Sequence, residues 1–306
     1  MIRWPSVDPK LPLAYWPQGL GEARPIPASG LSGACVWQVG EAFALRATPA
    51  AQASLAEMKQ RHRWMRMARS VGLEFVPHLV PLSDGTTVFS LAGWLWELQQ
   101  WMPGQVDSDQ PPQPHRVARA CQALARLHLV WQREQRPSAT APAIERRLAE
   151  WPDSELQRWQ GRSWQLHPCL VDIHRAHVFF EAEQVSGIID YGTLQWDIPH
   201  ADLARLLGSW AEDDETLWQA GLQAYAQVAP LPEVTLIRCL DRVGTLVAVQ
   251  RWQRWLAGGG PASPIAYQRW QDLQRRVSQW KEPVIVTKTA GCTTILEKDD
   301  QASRTS

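Results

Sequence analysis

The run CLVDIHRAHVFF at 169–180, with QVSGIIDYG following at 184–192, constrains this chain more than any other stretch. CLV and VFF are apolar runs of strand length, and the polar DIHRAH between them reads as the loop that joins them. VSGIID (185–190) reads as a third strand, ending on an acid before Tyr191-Gly192. Asp172, His177 and Asp190 therefore stand at the ends of short strands, where a rigid scaffold meets solvent and where sites are built. A carboxylate buried there costs stability unless it is paired or metal-bound. Either aspartate alone could be a turn-capping residue, and for Asp190 that reading weighs about as much as a functional one. A metal-binding loop, a catalytic loop and an ordinary buried turn are all open, and the rest of the chain has to choose between them.

A chain of 306 residues, 45% of them apolar, can build one large domain or two lobes around such a loop. GACVWQVGEAFALRAT (33–48) holds two β-type runs around Gly40-Glu41, which predicts a hairpin. SLAEMKQRHRWMRMARS (54–70) spaces Leu55, Met58, His62 and Met65 by three and four, one helical stripe facing the strands. Residues 75–104 predict more strand, with a turn at Asp84-Gly85, a break at Gly93, then WLWEL, and an end at Pro103-Gly104. The composition then changes. After a polar connector at 105–114, HRVARACQALARLHLVWQRE (115–134) predicts a helix with Val117, Cys121, Leu124 and His128 on one face. APAIERRLAEW and the stretches 200–210, 213–228, 233–257 and 264–280 also read as helices. The expectation is an α+β fold. It has an irregular proline-rich leader (1–28), a small strand-rich unit (29–103), a larger helical unit (104–280) holding the loop 170–192, and a loosely held tail (281–306).

The 31 basic and 31 acidic residues cancel, so neither nucleic acid nor an anionic membrane is an expected partner. No run reaches the roughly 18 apolar residues of a membrane helix, and the proline-broken opening MIRWPSVDPKLPLAYWPQ does not predict a secretory signal. Five cysteines, odd in number and without close spacing, predict reduced thiols and a cytoplasmic protein.

The joint pattern is more specific than its parts. Phosphoryl transfer needs a carboxylate to take the proton of the attacking hydroxyl and metal ligands beside it to neutralise the phosphates. In protein kinases the base aspartate precedes a metal-binding asparagine by five positions, and a strand pair later presents the aspartate of D-F-G. Asp172 precedes His177 by five, and Asp190-Tyr191-Gly192 has the D-aromatic-G form. The segment resembles the aminoglycoside phosphotransferase and choline-kinase-like family of small-molecule kinases. Members of that family read H-G-D-x-H-x-x-N, then I-D-aromatic-G, then D-x-A-x-D-L-A; this chain reads LVDIHRAH, GIIDYG and DIPHADLA. Upstream, GLSGACVWQV resembles the phosphate loop and FALRAT the strand carrying the phosphate-binding cation. LWELQQWMPG resembles the hinge and ALARLH the helix before the catalytic loop.

The resemblance implies a two-lobe protein-kinase-like fold and an ATP-dependent kinase, using Mg or Mn, that phosphorylates a hydroxyl of a small molecule. It implies Asp172 as base and His177 with Asp190 as metal ligands. Nucleotide would be held by Gly30, Ser32, Gly33 and Arg46, and by the hinge residues Gln99, Gln100, Trp101 and Met102. His174 and Asp202 would support the loop, Asp202 from its helix. Departures from the family include Leu170 for its first histidine, His177 for its asparagine and Arg46 for its lysine. The helix acid expected to pair with the cation is either Glu57, about a turn early, or is replaced by His62 at the matching place. Two other readings remain: a non-catalytic nucleotide-binding relative, and a metal-dependent hydrolase ligated by Asp172, His174, His177 and Asp190. The second leaves Gly30, Gly33 and Arg46 without a role.

Overall fold

The structure, a computed structural model, describes residues 8–16, 19–26, 33–107, 111–258 and 264–280. Gly30, Ser32 and the tail 281–306 lie outside the described residues. The chain divides into two compact units, Met1–Val247 and Ala248–Ser306.

The first unit opens with more order than its prolines suggest. A short helix α1 (Lys10–Leu13) leads to strand β1 (Ala23–Ile26). β1 is the edge of a five-stranded antiparallel sheet whose order is β1-β2-β3-β5-β4, with β2 Cys35–Val39, β3 Phe43–Pro49, β4 Phe89–Leu91 and β5 Trp94–Gln100. An edge strand tolerates Pro25, because one side of its ladder needs no donor. The hairpin expected at 33–48 is β2 and β3, turning at Gly40 with φ +56°. One face of the sheet buries Trp37, Leu45, Trp96 and Leu98 with Trp16, whose Nε1 donates to the Val80 carbonyl at 3.0 Å.

The helix expected at 54–70 is α2 (Leu55–Ser70). It starts at a capping box, in which Ser54 Oγ accepts from Glu57 N and Glu57 Oε2 accepts from Ser54 N. Its buried face carries Met58, His62 and Met65, as the three-and-four spacing predicts. Burying a methionine side chain contributes about 1.5–3 kcal/mol. Trp64 on the same helix meets the helical half, where Trp131 Nε1 donates to the Trp64 carbonyl at 3.1 Å.

That half begins with strand β6 (Gln105–Val106) and helix α3 (Pro114–Trp131), whose proline sits in the first turn where no N–H is needed. Val117, Cys121, Leu124 and His128 are buried as expected, together with Ala120, Leu127 and Trp131. There follow β7 (Arg136–Ser138), α4 (Pro142–Glu150), α5 (Ser154–Gln157), β8 (Trp164–Cys169), β9 (Val178–Glu181), β10 (Gln184–Ile188), β11 (Gln195–Asp197), α6 (Pro199–Ala211), α7 (Glu215–Ala226) and α8 (Val234–Ala257). α7 lies close against α3 and α6. A Cβ on Gly221 would come within 3.0 Å of Cys121 Sγ and closer still to Leu207.

One expectation needs correction. CLV is not a strand of its own: only Cys169 is strand, and Leu170 and Val171 already belong to the loop. β8 ends at Cys169 and lies in the sheet β11-β8-β7, whereas VFF is β9, in the sheet β10-β9-β6. The loop 170–177 therefore crosses from one small sheet to another. Beyond Val247 the described residues of the second unit are the end of α8 and helix α9 (Pro264–Ser278). Trp252 and Trp255 meet edge to face there at 5.5 Å.

Candidate active site

The loop is anchored from beneath by Asp202 on α6. Its carboxylate is fully buried and accepts from Leu170 N at 2.8 Å and Val171 N at 2.6 Å, with His128 Nε2 at 3.1 Å. His128 is held in turn by the Tyr225 hydroxyl, 2.8 Å from its Nδ1. Thr193 Oγ1 donates to the Leu170 carbonyl at 2.6 Å. These bonds hold Val171 at φ +67°, a left-handed conformation that a β-branched residue adopts only under constraint. Val171 stands where the family pattern has glycine, so the signal was present in the sequence.

Asp172 emerges from this anchored turn with its side chain half exposed, and Oδ1 accepts from Arg205 Nε on α6 at 2.9 Å. His174 caps the following turn, its Nδ1 accepting from Ala176 N at 3.3 Å, and its ring lies 3.7 Å from that of His177. Arg175 turns away to the carbonyl and carboxylate of Asp107. His177 Nε2 comes within 3.8 Å of Asp190 Oδ2. Asp190 is itself left-handed, with φ +63°.

Asp190 Oδ1 accepts from Arg46 Nη1 at 2.7 Å, which joins the five-stranded sheet to the loop region across 144 residues of sequence. Gly192 leaves room for this contact, since a Cβ there would meet the Arg46 guanidinium, with Cζ at 2.9 Å. Burial pushes the Asp190 carboxyl up, but Arg46 and His177 outweigh it and hold it at about 2. Burial lowers the His177 imidazole despite Asp190, so the ring is neutral at neutral pH. The neutral ring nitrogen and the Asp190 carboxylate are a fitting donor pair for one divalent cation.

The Arg46 partner differs from both sequence candidates. Glu57 is exposed and engaged in the α2 cap. His62 does take the inward position, but its two nitrogens meet Thr87 Oγ1 (2.7 Å) and Glu97 Oε2. The acid facing Arg46 is Glu97 of β5, with Oε1 3.9 Å from Arg46 Nε. Sequence reasoning passed over Glu97. Its signal was a single acid inside the apolar run WLWEL. Arg61 also reaches this region and donates to the Leu194 carbonyl at 3.2 Å. The space between Arg46, Arg61, Glu97 and Gly192 is about 10 Å³, room for about one water.

In the hinge stretch, Gln100 N donates to the His78 carbonyl and Trp101 N to that of Ala42, while Gln99 lies opposite Ala44 in the β3–β5 ladder. Among the described residues no partner takes the Met102 N–H. Met102 packs on Gly187, where a Cβ would approach to 2.7 Å. Gly33, at φ +63°, lies near Gln52. Among the described residues, no three of Asp172, His174, His177 and Asp190 bring ligand atoms within 4.8 Å of one another, so the ligand set of a hydrolase is not assembled.

Residues 22–236, more than half the chain, match the phosphotransferase enzyme family. No curated protein sequence matches the chain. Among solved structures it is similar to amicoumacin kinase hAmiN in complex with AMP-PNP, Ca²⁺ and Ami. That match has a TM-score of 0.68 at 12% identity, over 89% of this chain and 93% of that one. It is similar to an aminoglycoside phosphotransferase from Alicyclobacillus acidocaldarius (TM-score 0.62, 14% identity, 90% and 93% covered). It is also similar to a microcompartment-associated aminopropanol kinase (TM-score 0.60, 14% identity, 87% and 93% covered). These likenesses carry the two-lobe protein-kinase-like fold.

Proposed function

The chain belongs to the phosphotransferase enzyme family, and from that premise we propose that it transfers the γ-phosphoryl group of ATP to a hydroxyl of a small molecule. The observation that carries this reading is the 2.7 Å contact between Arg46 on the sheet and Asp190 after the loop. It puts a fixed cation and an ionised acid together beside the pinned loop of Asp172, as charge-stabilised phosphoryl transfer requires. In this reading the free carboxylate oxygen of Asp172 accepts the proton of the acceptor hydroxyl as that oxygen attacks the γ-phosphorus and the bond to the β-phosphate oxygen breaks. Arg205 keeps the Asp172 carboxylate oriented. Arg46 holds phosphate oxygens, and the segment of Gly30, Ser32 and Gly33 covers them. The Met102 N–H is free to meet adenine, with Gln99, Gln100 and Trp101 shaping that wall. His177 and Asp190 would hold Mg or Mn, which neutralises charge on the phosphates when bound. His174 and Asp202 keep the loop in shape. The lobes are read as 29–103 and 104–280, and the protein as cytoplasmic.

The likeness to a kinase in complex with AMP-PNP and Ca²⁺ supports nucleotide and divalent-metal use. The test is ATP consumption against sugars, amino alcohols, amino acids and aminoglycosides, with magnesium and manganese run in parallel. Metal-dependent turnover with at least one acceptor is expected. Nucleotide binding with no turnover across the panel would instead identify a non-catalytic relative.

A further inference from the structure

We propose that Glu97 on β5 is the positioning residue for Arg46, replacing from within the sheet the helix acid of the kinase pattern; this rests on the kinase reading above. α2 has one acid, Glu57, and both its oxygen-mediated bonds go to Ser54 at the helix start. The inward place on α2 belongs to His62, which is 1% exposed and turned to Thr87 and Glu97. α2 therefore offers Arg46 no carboxylate.

The sheet offers one. Arg46 and Glu97 are direct cross-strand partners in the β3–β5 ladder, a pairing that places side chains within reach of each other. Glu97 is 6% exposed, with one oxygen engaged by His62 and the other toward Arg46. A carboxylate buried this deeply is retained only where cations or donors compensate it. The result is a fixed sequence of contacts, Thr87 to His62 to Glu97 to Arg46 to Asp190. In the helix-acid arrangement the ion pair forms only when the helix is in place. Here the backbone ladder sets it, and Arg46 is aligned whenever the sheet is folded. Without Glu97, Arg46 keeps only its contact with Asp190 and loses the restraint that holds it from within the sheet.

The experiment compares the parent with Glu97→Gln, Glu97→Asp and the double variant Glu97→Gln/His62→Glu, which moves the acid onto α2. The readouts are melting temperature, nucleotide affinity by titration, and KM for ATP against kcat. Glu97→Gln should weaken nucleotide binding by about tenfold or more, the order of one charge-assisted contact, in protein that remains folded. The double variant should recover most of that loss, because the acid faces Arg46 again; a merely structural Glu97 would not be rescued by an acid on another element. If Glu97→Gln does not fold, Glu97→Asp takes its place and should raise KM for ATP with kcat little changed. Parent-like nucleotide affinity in the folded Glu97 variant, or a double variant no better than Glu97→Gln, overturns the proposal. A parent protein that binds no nucleotide overturns the kinase reading itself.

Discussion

Val171 shows how a single residue can carry strain on behalf of a site. Its left-handed backbone and the two N–H bonds from Leu170 and Val171 to Asp202 are parts of one device. A β-branched residue in that region costs about 1–2 kcal/mol, whereas glycine adopts it freely. Val171→Gly should therefore raise the melting temperature by about a degree or more and leave the loop in place; a lowered melting temperature in thermal denaturation would contradict the strain account. The neighbouring Asp172 makes a different demand. If it is the proton acceptor, Asp172→Asn removes basicity at almost constant shape and loses about 10² or more in phosphoryl transfer rate. Nucleotide affinity should stay close to the parent's, because the carboxylate meets the acceptor and not ATP. Single-turnover rates and a nucleotide titration, run on the same preparation, separate the two effects.

At the scale of the element, α2 divides its labour in an unexpected way. Its first turn spends its acid on capping, and its inner face spends a histidine on the sheet. Glu57→Ala should cost about 1 kcal/mol of stability through the lost capping box and leave nucleotide affinity at the parent level. That is the opposite of what a phosphate-site acid would do. A melting curve and a nucleotide titration on one sample check both halves of the statement.

At the scale of the molecule, half-buried histidines make the fold sensitive to acid. Burial holds His167 on β8 and His200 on α6 at about 4, against about 6.5 in an unfolded chain. The unfolded chain takes up these protons from about pH 6.5 downward and the folded chain does not, so stability present above pH 6.5 is lost as pH falls toward 4. Asp190, held at about 2, adds its own loss only below about pH 5. Melting temperature should decline between pH 6.5 and 4.5, and His200→Gln should flatten the decline. A profile identical to the parent's would place the acid sensitivity elsewhere.

Periodicity and local chemistry settled much of this protein before any tertiary contact was considered. The hairpin at Gly40, the helix at 54–70, the buried face of α3 and the family pattern from Asp172 to Asp202 are all properties of spacing within a short window. Partners across long separations were not legible. No local rule says that Arg46 meets Asp190, that Glu97 replaces the helix acid, or that Arg205 sits on Asp172. The β3–β5 register and the packing of α6 under the loop decide those. Nor could apolar runs reveal that the strands before and after the loop enter different sheets, because pairing is a choice among strands and not a property of one. Sequence determines which residues face inward, since that follows from a helical or strand period. Which inward-facing charge meets which is a matter of register and helix packing, and only the folded chain fixes it.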